Sequence, residues 1–128
     1  MKKLLWFVPL LAACHWVTVA PEPELPPIPT QVMSQLGPVP VVIVDSLTNG
    51  EGRPMMGGFH TIRRTIYLRR DLLQNPRVAW VVLQHEICHV WSLDSGVGSL
   101  LSLESQQAVC DASAIYRVSE MLVSRKPR

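Results

Sequence analysis

Five consecutive residues, His85-Glu86-Ile87-Cys88-His89, could do chemistry together. Side chains four apart on a helix share one face, so His85 and His89 can grip one metal ion between them. Glu86 adjoins the first imidazole, where a carboxylate can reach a water held by that ion and take its proton. Read without a metal, the same residues are two core histidines with a Glu between them. Their neighbours Val78, Trp80, Val81, Val82, Leu83, Ile87, Val90 and Trp91 make the helix apolar on most sides, which predicts burial. A polar pair on a buried helix needs partners, and a metal supplies them.

The elements that must hold this motif are legible around it. Asn75-Pro76 is a helix start, with Asn as cap and Pro in the first turn. The helix is predicted to run to about Leu93, where 94–99 (Asp-Ser-Gly-Val-Gly-Ser) breaks it, and a last helix to span about 100–124. Upstream, residues 39–44 (Val-Pro-Val-Val-Ile-Val) read as a strand followed by the turn signal Asn49-Gly50. Residues 57–60 lead into a second strand or hairpin over 61–68. The expected fold is α+β: a small antiparallel sheet packed on the buried motif helix and a second, C-terminal helix. The expected globular domain, 39–128, is small enough that a metal or disulfide should help support it.

The N-terminus reads as an export signal: Met1-Lys2-Lys3, an apolar run from Leu4 to Ala13, then Cys14. Leu11-Ala12-Ala13-Cys14 resembles the bacterial lipobox, which implies cleavage after residue 13 and lipid on Cys14. The competing reading, an uncleaved anchor over 4–20, is short for a span and contains Pro9 and His15. Residues 14–38 are then a lipid-anchored, Pro-rich linker, a semi-rigid spacer or a disordered leader. His15, rather than Asp, follows Cys14. By resemblance to sorted lipoproteins, this implies the outer membrane, facing the periplasm, if the cell has two membranes.

The formal net charge of +2 resides in Lys2 and Lys3; residues 14–128 carry ten basic and ten acidic side chains. A neutral mature chain gives no support for a nucleic-acid partner. Membrane attachment would come from acyl chains rather than a basic patch. With Cys14 in the anchor, Cys88 and Cys110 remain. In an oxidising compartment they either pair, stapling the motif helix to the last one, or sit as two small buried hydrophobes.

A catalytic zinc ordinarily takes three protein ligands and keeps one position for water. Asp94 is badly placed for the third and reads as a helix-end residue. An antiparallel return after His89 brings about residues 104–108 level with the histidines, at 1.5 Å of rise per residue. Glu104 falls there, on one stripe with Ala108, Asp111, Ile115, Val118 and Leu122. Glu104 is the expected ligand; alternatively it is an exposed first-turn acid favoured by the helix dipole. Asp111 is the alternative ligand, or a partner for the outer nitrogen of a ligand His.

At this point the chain resembles the gluzincins, His-Glu-x-x-His zinc metallopeptidases with a Glu on a following helix, and in size their minimal members. The resemblance covers about 60–124 and is carried by His85, Glu86 and His89. It implies Zn2+, a peptide or protein substrate, Glu86 as the catalytic base and a zincin-like fold. It also implies a strand before the helix, here about His60 to Leu68, that aligns substrate by main-chain pairing. Counted back from Asp111, the family's Glu-x-x-x-Asp frame puts Gln107 at the ligand position, a departure from the pattern. His60, Tyr67 and Tyr116 are candidate transition-state stabilisers. The expected activity is that of an envelope-anchored zinc peptidase. The rival is a non-catalytic lipoprotein, a binding or assembly factor whose metal is structural or absent.

Overall fold

The computed structural model describes residues 24–125, so Cys14 and the expected signal lie outside the described residues. Four strands form one sheet: β1 (Gln31–Ser34), β2 (Gly37–Val44), β3 (Gly57–His60) and β4 (Thr65–Arg69). Two helices follow, α1 (Pro76–Ser95) and α2 (Leu103–Ser124), each preceded by a 3-10 turn, Arg70–Gln74 and Val97–Leu100. The architecture is α+β. The strand order is β1-β2-β4-β3, and the sheet is mixed rather than antiparallel, because β2 pairs with β4 in parallel, Val41 opposite Ile66. Asn49 explains the difference. Its side-chain oxygen accepts from the Glu51 and Arg53 amides and closes a small loop bridged at Thr48 and Pro54. The turn therefore does not send the chain straight back beside β2. It delivers it to the far edge, and β4 then returns between β2 and β3.

Part of the expected linker belongs to the folded unit. Leu25, Ile28 and Val32 pack against the core, and the Trp80 indole N–H donates to the Pro26 carbonyl at 2.7 Å. Residues 31–34 form the edge strand β1. Prolines are tolerated here because of which way they face. Val41 N donates to Thr30 O, so odd-numbered residues of β2 turn towards the β1 side. Pro38 and Pro40 turn the other way, ahead of the point where β4 begins to pair at Val41.

The core joins Val39, Val41, Ile66 and Leu68 of the sheet to Leu72, Ala79, Trp80, Leu83 and Val90, with Val118 of α2. Helix α1 packs on the sheet and on α2, which accounts for its apolar composition on more than one side. Its burial is nonetheless incomplete: Val78, Trp91 and Leu93 are exposed. The helix starts as its sequence dictates, with the Asn75 side chain accepting from Val78 N and Pro in the first turn. It ends at Gly96, whose φ of 76° is the left-handed geometry that favours glycine. Asp94 anchors that end. Its buried carboxylate accepts two N–H bonds from Arg64, at 2.7 and 3.0 Å, and Arg64 also donates to Ser34 Oγ at 3.0 Å. Helix end, β3–β4 turn and β1 are thereby tied together, and Asp94 is held well below the usual carboxylate pKa by Arg64.

Candidate metal centre

Helix α1 presents His85, Glu86 and His89 to a cleft of about 780 Å³, walled by β3 on one side and α2 on the other. The walls come close. A Cβ added to Gly57 would stand 2.5 Å from Val82 Cγ1, so glycine is what lets β3 approach α1 just before the motif. Cys88 and Cys110 form a disulfide, with Cα atoms 5.4 Å apart, that fixes α2 against the motif helix.

The two imidazoles face each other, Nε2 to Nε2, at 2.9 Å. The outer nitrogen of His85, Nδ1, lies 2.8 Å from Asp111 Oδ1. A carboxylate there holds the proton on Nδ1, which leaves the His85 Nε2 lone pair pointing at His89. Burial, and next the charge of His85, lower the pKa of His89, which favours the neutral ring that a metal requires. Gln107, one turn before Asp111 on α2, also lines the cleft. These donors, two convergent imidazole nitrogens with an oriented outer partner, suit a divalent ion such as zinc.

Glu86 is 7 % exposed, among the least accessible polar side chains in the described residues. Burial raises its pKa to about 7, opposed by the His85 charge and by a main-chain hydrogen bond at Phe59. In metal-free protein this carries a sign. The unfolded chain ionises Glu86 near 4.5 and the folded one only near 7, so stability is greatest below the first value and falls as pH rises to the second. The fall is on the order of 3 kcal/mol. Denaturant melts in chelator across that window should show this slope in the native chain and a flatter one in Glu86→Gln. Equal slopes would remove Glu86 as the cause.

Among the other candidates, the structure brings Asp111 to the motif and leaves Glu104 out. Glu104 is exposed in the first turn of α2, does not line the cleft, and forms no metal-holding group with the histidines. The reason is the connection. The 3-10 turn Val97–Leu100 delays α2 until Leu103, so His89 stands level with Gln107 and His85 with Asp111. The expected outcome is that Asp111→Ala weakens zinc about 10–100-fold, as loss of a ligand's outer partner does. Glu104→Ala should leave affinity unchanged. Chelator competition on both variants checks the order, and the reverse ranking would contradict it.

The expected substrate-aligning strand, 60–68, is also displaced. The edge strand along the cleft is β3 (Gly57–His60), while β4 lies inside the sheet. His60 is exposed and its Nδ1 accepts from Arg63 N at 3.1 Å. Tyr67 is half-buried in β4, and Tyr116 is exposed on α2. None of the three lines the cleft. No protein-family model matches the chain, and comparisons with curated proteins and with solved structures find no match.

Proposed function

We propose that this chain is a zinc-dependent peptidase carried on an envelope lipid anchor. The observation that carries the reading is the Nε2-to-Nε2 approach of His85 and His89, with Asp111 on the outer nitrogen of His85 and Glu86 buried beside the pair. His85 and His89 would hold the ion, which supplies Lewis acidity towards a carbonyl oxygen and lowers the pKa of water. Glu86, buried beside the two histidines, is placed to accept a proton from the attacking water and return it to the leaving amine. The β3 edge offers main-chain groups for an extended peptide, and the disulfide and Asp111 keep the imidazoles oriented.

The cleft wall also bears on substrate. Met55, Met56, Phe59, Val81, Val82 and Leu93 line it, and among the described residues no Lys or Arg does. Such a lining favours an apolar side chain next to the scissile bond. The Leu11-Ala12-Ala13-Cys14 ending supports the anchor.

One observation favours the non-catalytic rival. Among the described residues no three His, Cys, Asp or Glu side chains gather as a metal-holding group. Buried Glu86 favours the enzyme, because a structural metal site has no use for a base beside its first ligand. Metal content measured together with peptide hydrolysis separates the two readings.

A further inference from the structure

The cleft is chemically different at its two ends. Helix α1 lines it with one stripe, Val82, His85, His89, Ser92 and Gly96, spaced by three or four residues. Strand β3 packs beside that stripe, and Gly57 marks where it meets Val82. The histidines therefore stand between two compartments. At 1.5 Å of rise per residue, Val82 lies about 4.5 Å before His85 along the helix axis and Ser92 about 4.5 Å beyond His89. The end before the histidines is apolar, where Met55 and Met56 lead into Gly57 beside Val82.

The end beyond them is small, polar and uncharged. Ser92, Gly96, Gly98, Ser99 and Gln106 line it, with Leu93 its one apolar side chain among the described residues. The connection between the helices closes it. The Gln106 carboxamide nitrogen donates to Gly98 O at 2.7 Å and to Leu101 O at 3.2 Å, which holds that connection against α2. Gly98 sits so close to α1 that an added Cβ would lie 3.2 Å from Ser92 O and 3.4 Å from Gln106 Oε1. Only the NH2 group of an amide can satisfy two carbonyls, so the orientation of Gln106 is fixed and its oxygen is left as an acceptor beside Gly98. Among the described residues no protein donor reaches that oxygen.

We infer that Ser92, Gly98 and Gln106 form a subsite for a small side chain carrying a hydrogen-bond donor, serine above all, on the flank of the scissile bond opposite the apolar residue. The inference rests on the peptidase reading and names its substrate class: peptides cut between an apolar residue and serine. The Gly98–Ser92 contact limits how long a side chain this end takes. An acidic side chain would face the Gln106 oxygen with no cation to meet it. A large apolar one would bury that acceptor unpaired.

The test uses the zinc-loaded full chain in mild detergent and quenched fluorescent peptides in which both neighbours of one apolar residue are varied, with the cut site read by mass spectrometry. Serine should exceed alanine by about 2–10-fold in kcat/KM, the worth of one neutral hydrogen bond. Aspartate and leucine should fall below alanine. Gln106→Glu keeps an acceptor and adds a charge, so it should move the preference from serine to lysine. Gln106→Leu should erase the advantage of serine over alanine. Melts in chelator confirm that each variant folds, and the profile of the native chain tests the subsite without them. If the native chain cuts serine, alanine, aspartate and leucine peptides equally well, or if both folded variants keep its profile, the subsite is wrong while the peptidase reading stands. If the zinc-loaded native chain cuts no peptide at all, the peptidase reading fails and this inference fails with it.

Discussion

Glu86→Gln should keep its zinc and lose hydrolysis by about three orders of magnitude or more, the scale expected when a general base working on activated water is removed. The substitution is nearly isosteric, and Glu86 is not among the atoms that converge on His85 Nε2 and His89 Nε2. Metal affinity should therefore stay near the native value. The loss should fall on kcat rather than KM, because the carboxylate acts on the proton of the attacking water and does not hold the peptide. His85→Ala makes the useful contrast: it removes a donor, so metal and activity should disappear together. Steady-state kinetics with a chelator titration on the two variants checks this. Native-rate cleavage by Glu86→Gln would mean that another group takes the proton.

Breaking the Cys88–Cys110 bond should cost about 3 kcal/mol of stability, from the loop entropy released by a 22-residue separation. For a domain of this size that corresponds to a fall on the order of 10–20 °C in Tm. The cost matters here because the described core is small, with Ile66, Leu68, Leu83 and Val39 its largest fully buried aliphatic side chains. The consequence should reach the site. Cys110 adjoins Asp111 in sequence and its Sγ lies 4.0 Å from His89 Nδ1, so loosening α2 frees the groups that orient both imidazoles. Melts of the Cys88→Ser, Cys110→Ser double variant, with and without zinc, measure both effects. An unchanged midpoint would show that packing between α1 and α2 suffices without the bond.

The sequence was informative where one residue type carries one physical requirement. Asn75 and Pro76 mark a helix start because a side-chain cap and a missing N–H are useful only there, and α1 begins at that point. The i, i+4 histidines share a face on any helix. The sequence was opaque where an outcome depends on how far a loop travels. The extra 3-10 turn before α2 moves the level of the histidines from Glu104 to Gln107 and Asp111. Likewise Asn49-Gly50 reads as a turn signal, yet the Asn49 oxygen closes a local loop and β2 finds a parallel partner in β4. Ile28 among the prolines at 26–29, with Leu25 before them and Val32 after, was the signal that the folded unit begins before residue 39, since all three pack on the core.

If hydrolysis occurs at a metal held by His85 and His89, activity must follow bound metal. The most direct measurement follows cleavage of an unstructured protein substrate by the full chain as zinc is withdrawn by chelator and returned, with bound zinc counted at each step. About one zinc per chain is expected, the loading of a mononuclear catalytic site. Cleavage should fall and recover in proportion to that occupancy, and His85→Ala should show neither zinc nor cleavage. Cleavage indifferent to occupancy, or full occupancy with no cleavage, would contradict it.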